Sequence, residues 1–369
     1  MQRKPLKRTG AKASGPSRKK TTNKKVVRRP IKGAQDKPAK GVEGALKSLY
    51  FASAIKKGVQ FIPSGCTPLD CTMGGGYPLH RVTNIIGDRS SGKTLQAMEA
   101  VVNFLITYPE GEPHYIEAES AFDKDYAEAL GIPVSKIHFH EDIQSVEAMA
   151  GLIEALADRG AEDKVERLVI VDSLDSLSSE AEIKRDFGEA TYGQEKAKMM
   201  SEMFRKLVRK IKAGYVTLII ISQIRDKIGA VFGKKWTRSG GKALDFYASL
   251  VMVLAEVKKR KKTIGGVARV VGVDIRARND KNKVGLPFRE CQYPIVFGYG
   301  MEDAEACVAY LESIKAKDAL EDIGVPSKFT AVHINKLLED PERMKLARKY
   351  VIELYETTES KFLPTRSKY

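Results

Sequence analysis

Cysteine is scarce in this chain. Only Cys66, Cys71, Cys291 and Cys307 occur in 369 residues, no two of them form a C-x-x-C pair, and the five histidines do not cluster with them. Neither a zinc site nor a disulfide framework is expected, and a reducing compartment, the cytoplasm, is the simple reading. No run of eighteen apolar residues occurs, so no membrane span is expected. The chain opens on basic residues with no apolar segment behind them, which argues against a secretory signal. Acid is nearly missing from residues 1–40, where 15 Lys and Arg face the single Asp36, so +14 of the net charge of +16 sits there.

That stretch is also poor in apolar residues and rich in Pro, Gly, Ser and Thr, so it is expected to stay unfolded as a basic tail. As a coil it would reach about 35 Å. A solvated arm on nucleic-acid phosphates is the favoured reading, beside a targeting signal or a solubilising tail. Such an arm adds salt-sensitive affinity without sequence selectivity.

What is present is concentrated in one octamer. Gly87-Asp88-Arg89-Ser90-Ser91-Gly92-Lys93-Thr94 fits G-x-x-x-x-G-K-[ST] residue for residue. A phosphate-binding loop needs exposed backbone N–H groups, a long cation and a hydroxyl for Mg²⁺, and the octamer supplies all three. The apolar run 82–86 before it reads as a strand and 94–106 after it as a helix. Binding of a nucleoside triphosphate with Mg²⁺ follows. Lys93 is expected on the β- and γ-phosphates and Thr94 on the metal. Asp172, ending the buried strand 168–171, is expected to hold that metal through water.

The length allows one large domain with appendages, or two domains. Residues 43–57 carry Leu46, Leu49, Tyr50, Ala54 and Ile55 at helical spacing, a short amphipathic helix within a 41–60 linker. Strands are expected at 114–118, 136–139, 168–171 and 216–221. Helices are expected at 124–130, from Ile143 to Leu156, and at 196–212. This alternation predicts an α/β core over 61–300, a mostly parallel sheet with helices on both faces. Segments 250–255 and 268–275 read as an added β-meander, and 301–369 as a small helical C-terminal domain. Ligands gather at the carboxyl ends of parallel strands. Glu119 and Gln223 both fall there, the carboxylate suited to orienting an attacking water and the amide to sensing a phosphate.

With these residues in place the chain resembles the RecA-type homologous recombinases of bacteria and their phages, from about Phe61 to Gly300. The matching blocks are IPSGCTPLD (62–70), GDRSSGKT (87–94), YIEAESAFDKDYAEALG (115–131), VIVDSLDSL (169–177), QIRDKIGAVFG (223–233), SGGKALDFYAS (239–249) and KNKVGLPF (281–288). The resemblance implies an ATPase that assembles with itself as a helical filament on single-stranded DNA, pairs it with homologous double-stranded DNA and exchanges strands. Single-strand-binding or mediator proteins are implied as further partners. Glu119 is similar to the glutamate that activates water, and Asp123 and Tyr126 to the adenine contacts. Gln223 resembles the glutamine that couples the γ-phosphate to a second DNA-binding loop, here about 225–241 with Arg225, Lys227, Phe232, Arg238, Gly240 and Gly241. Lys281 and Lys283 are similar to lysines that reach ATP held mainly by a neighbouring subunit. A first DNA loop at 184–193 brings Tyr192 to a base-wedging position, and Arg205 matches a phosphate contact.

The mixture of Gly, cations and the aromatic residues Phe232 and Trp236 in 225–242 suits a loop that tracks phosphates and stacks bases. Departures from the family are an extra residue between 181 and 200, Arg89 where an acid is usual, Lys242 and Asp245 near the subunit contact, and a basic C-terminus. Together with the basic tail they point to a phage-encoded member. Two rivals remain: a ring-forming motor or helicase of the same fold, and a mediator without catalysis.

Overall fold

The computed structural model describes residues 59–119, 122–185, 193–226, 236–237 and 241–366, by backbone alone at 193–197, 225–226, 236–237 and 241–242. The expected tail and the helix at 43–57 lie outside these residues. The described chain opens on a two-stranded pair, β1 (Phe61–Ile62) and β2 (Tyr77–Pro78), around helix α1 (Thr67–Met73). Helix α1 was hidden in the sequence by its brevity and by flanking glycines, although Pro68 stands in its first turn, where a missing N–H costs nothing.

Then follow β3 (Val82–Gly87), α2 (Lys93–Thr107), β4 (Glu112–Glu117), α3 (Lys124–Ala129), β5 (His138–His140), α4 (Val146–Asp163), β6 (Arg167–Asp172), α5 (Glu180–Ile183), α6 (Gly193–Ala213) and β7 (Val216–Gln223). A short ladder of β8 (Arg225–Asp226) and β9 (Trp236–Thr237) precedes α7 (Gly241–Tyr247), β10 (Leu250–Ile264), β11 (Val267–Asn282), β12 (Glu290–Val296) and β13 (Gly300–Met301). Helices α8 (Asp303–Ser313), α9 (Lys317–Asp322), α10 (Ala331–Leu338) and α11 (Pro341–Lys361) close the chain.

The large sheet runs β13-β12-β11-β10-β3-β7-β6-β4-β5. From β10 to β5 all neighbours are parallel, and β11 to β13 extend the sheet antiparallel. Each central strand alternates between two apolar layers. Ile85, Ile170 and Ile219 face the layer that holds α1 and α2, whereas Ile86, Val169 and Ile220 face the layer of α4, α6 and α7. A strand buried on both faces reads as an unbroken apolar run, which is why β6 and β7 were legible. A third apolar cluster joins α8 to α11.

Two expectations need correction. The strand placed at 136–139 is a 3₁₀ turn at Val134–Lys136 followed by β5, because pairing with β4 begins only at His114↔His138. The meander strands placed at 250–255 and 268–275 are much longer, and beyond Arg260 and Gly272 they run past β12 as a two-stranded ribbon with most of its side chains exposed. With most of its side chains exposed, the stretch from Glu256 to Ile264 needs no apolar alternation, so periodicity had little to detect.

Candidate active site

The carboxyl ends of the central strands form one row. Glu117 pairs with Asp172, Gly87 with Gln223, and Leu254 with Gly87. The phosphate loop springs from this row between β3 and α2. Gly92 caps α2 at φ 80°, a left-handed conformation that favours glycine, and a Cβ there would fall 2.4 Å from Ile295 Cδ1, which would have to move. Ser91 Oγ donates to Asp88 O at 2.8 Å and holds the loop's bend, with Asp88, Arg89 and Ser90 exposed. Lys93 is 9% exposed and donates from Nζ to Asp88 O at 2.7 Å, arching over the loop. Burial pulls its ammonium below the usual lysine range, against the attraction of Asp172 and Glu119.

Thr94 Oγ1 donates to Asp172 Oδ2 at 2.7 Å, and Tyr115 OH donates to the same oxygen at 2.7 Å. Burial pushes the Asp172 carboxyl up, and these two hydroxyls counter it. A hydroxyl and a carboxylate in contact beside a phosphate loop are hard oxygen donors of the kind Mg²⁺ takes, so these residues fit that ion.

Glu119 and Gln223, expected at separate strand ends, are in direct contact. Gln223 Nε2 donates to Glu119 Oε1 at 2.6 Å, and Ser173 Oγ donates to the same oxygen at 2.5 Å. Ser176 Oγ adds a third donor at 3.4 Å, and Asp175 Oδ2 fixes the Gln223 backbone N–H at 2.7 Å. Among the described residues Glu119 Oε2 accepts no hydrogen bond, so the carboxylate is held by one oxygen and open at the other. Tyr115, Ser173, Asp175 and Ser176 were not singled out from sequence. Tyr115 lies in the block 115–131 and the other three in 169–177, and only the fold turns them into a cradle.

A cavity of about 510 Å³ adjoins the loop, bounded by Ser90 to Leu95, Tyr126, Ile295 and Phe297, and by Glu256, Lys259, Val270 and Val273 of β10 and β11. Tyr126 is 43% exposed and hydrogen-bonded from Gly298 N at 3.4 Å, while Asp123 caps α3 by accepting from Tyr126 N at 2.9 Å. Ile295 and Phe297 were also missed, although their i, i+2 spacing puts both on one side of the chain leaving β12. Lys281 donates to Asp245 O and to Phe246 O at 2.8 Å, and Lys283 to Phe246 O at 3.3 Å. Within one chain these two lysines therefore sit on the carboxyl end of α7, where its dipole favours cations. Arg205 is exposed on α6. Tyr192, Lys227, Phe232, Arg238 and Gly240 lie outside the described residues, and Arg225 and Gly241 are described by backbone only, in β8 and at the start of α7.

A parallel sheet with helices on both faces, a phosphate loop at its carboxyl edge and a carboxylate cradle beside it define a P-loop nucleoside triphosphatase. Comparison with known proteins narrows that class. The RecA N-terminal domain matches residues 41–302. Protein RecA of Limosilactobacillus reuteri is 36% identical over 260 residues, 70% of this chain and 68% of that protein. Protein RecA of Treponema pallidum is 37% identical over 283 residues, 76% of this chain and 66% of its own length. Protein RecA of Streptomyces ambofaciens is 34% identical over 247 residues, covering 67% and 63%. The match thus spans about two thirds of these relatives. The chain belongs to the RecA family, the RecA-type DNA recombinases, which are DNA-dependent ATPases.

Proposed function

We propose that this chain assembles as a helical filament on single-stranded DNA, binds ATP with Mg²⁺, pairs the bound strand with homologous duplex and exchanges strands in the cytoplasm. The observation that carries the reading is the 2.6 Å contact between Glu119 and Gln223, which joins a carboxylate at the phosphate loop to the end of the strand that leads into the 225–241 loop. Lys93 and the N–H groups of residues 88–93 bind the phosphates, and Thr94, with Asp172 through water, would hold Mg²⁺, which when bound would neutralise phosphate charge that side chains alone neutralise poorly. Glu119, oriented through Oε1, takes a proton from the attacking water at Oε2. Gln223 is the residue through which the γ-phosphate and the DNA loop influence each other. Asp123 and Tyr126, with Ile295 and Phe297, hold the base. Lys281 and Lys283 reach a neighbouring subunit's nucleotide, and a contact of this head-to-tail kind generates an open helix.

No helix among the described residues is long and apolar enough to cross a membrane. Origin in a phage rests on the departures from the family and the basic tail, and the relatives named above are bacterial. The test is Glu119→Gln. It should bind ATP and DNA normally but hydrolyse about 10²–10⁴-fold more slowly. Unchanged turnover would remove Glu119 from the chemistry. Wild-type turnover stimulated by single-stranded DNA without strand exchange would favour a motor.

A further inference from the structure

We infer that the ribbon of β10 and β11 forms a wall of the nucleotide site and that Lys259 on it contacts the nucleotide's phosphates from within the same chain. The inference rests on the reading of the phosphate loop given above and adds a residue that the motif does not contain. Lys259 stands opposite Val273 in the ribbon, and both border the cavity that opens on Ser90 to Leu95. Lys93 and Lys259 therefore line one cavity.

Three features make this placement a built one. First, the ribbon is anchored next to Lys259. Arg260 donates from Nε to Asp274 Oδ1 at 2.5 Å and from Nη1 to Glu305 Oε2 at 2.7 Å, tying the ribbon to α8. Second, register breaks lie on both sides, between Glu256 and Lys258 and between Arg260 and Lys261. Bulges of this kind re-aim side chains and twist a ribbon locally. Third, no carboxylate among the described residues pairs with Lys259, although Arg260 beside it is fully engaged. A lysine is a flexible point charge with three donors, suited to a polyphosphate rather than to a planar base. The run Lys258-Lys259-Arg260-Lys261-Lys262 is thus divided in its work, with one cation on the cavity, one in an ion-pair anchor and the rest toward solvent.

This cation acts in cis, so it should matter before any assembly. The experiment is equilibrium binding of fluorescent methylanthraniloyl-ADP to full-length protein without DNA, with adenosine as a competitor. Lys259→Ala should weaken the ADP probe about tenfold and leave adenosine competition unchanged. Lys259→Glu should weaken it further. Lys261→Ala, two residues along and off the cavity wall, should stay within about twofold of wild type and so controls for the general field of the ribbon. Equal losses at positions 259 and 261, or none at 259, would overturn the contact. A parallel loss of adenosine would overturn its assignment to phosphate. Failure of the wild type to bind the ADP probe would instead sink the underlying reading of the loop.

Discussion

Glu119 is an exposed carboxylate made specific by its neighbours. Three donors converge on Oε1, and the shortest comes from Ser173. Holding a base in one orientation is worth rate only if it reaches the water in the transition state. Ser173→Ala should therefore lower kcat about tenfold while leaving KM for ATP nearly unchanged, a split read from steady-state ATPase assays. Equal loss in both parameters would mean that Ser173 supports nucleotide binding instead. Little of this cradle was legible residue by residue. Glu119 and Gln223 could be placed at strand ends, but 104 positions separate them in the chain, and their contact exists only because the sheet sets β4 and β7 on either side of β6.

Packing between elements depends on close approaches that no periodicity announces. Helix α4 meets the turn after α6 at Gly160 and Gly214. A Cβ on Gly160 would stand 1.9 Å from Gly214 O, and one on Gly214 would stand 2.1 Å from Ala157 O. Neither is a clash that a flexible side chain could relieve, since both partners are backbone. Gly160→Ala should cost about 1–3 kcal/mol by forcing α4 away from the sheet. Thermal unfolding should show a Tm several degrees lower. An unchanged Tm would mean that the helix rides out at no expense. The amphipathic spacing of α4 and α6 was readable, whereas the point at which they touch was not, because glycine carries no apolar signal. The ribbon escaped notice for the opposite reason, having too little apolar character to mark it as strand.

At the scale of the whole molecule, two groups of residues set opposing responses to pH. Burial pushes Asp70, Glu99 and Glu302 each up to about 7, where the core meets the C-terminal helices. Folded, they keep protons that the unfolded chain releases near pH 4, so stability falls as pH rises from about 4 to about 7. At the far edge of the sheet, burial and its neighbours His138 and His140 push His114 down to about 3. The unfolded chain takes that proton near pH 6.5 and the folded chain refuses it, so stability also falls as pH drops below about 6.5. Glu99→Gln keeps an acceptor for the Met301 N–H and should raise Tm at pH 8 more than at pH 5.5. His114→Gln should raise Tm at pH 5 and not at pH 8. Tm gains independent of pH in both variants would refute this account. The proposed assembly also belongs to this scale. The Lys281→Ala, Lys283→Ala double variant should bind nucleotide alone as wild type does, yet lose most DNA-stimulated turnover. The Lys→Arg pair should retain turnover if α7 capping is all that these cations provide.

The sequence by itself determined the class of ligand and the family, because a phosphate loop is a local object. Eight consecutive residues, a strand before them and a helix after them suffice to build it, and ordered blocks mark its relatives. Tertiary structure alone decided which carboxylate oxygen is left open, which hydroxyls orient it, and that a basic ribbon borders the cavity at the phosphate loop. Those relations join residues tens to more than a hundred positions apart, and only the packing of strands in one sheet brings such residues within hydrogen-bond range.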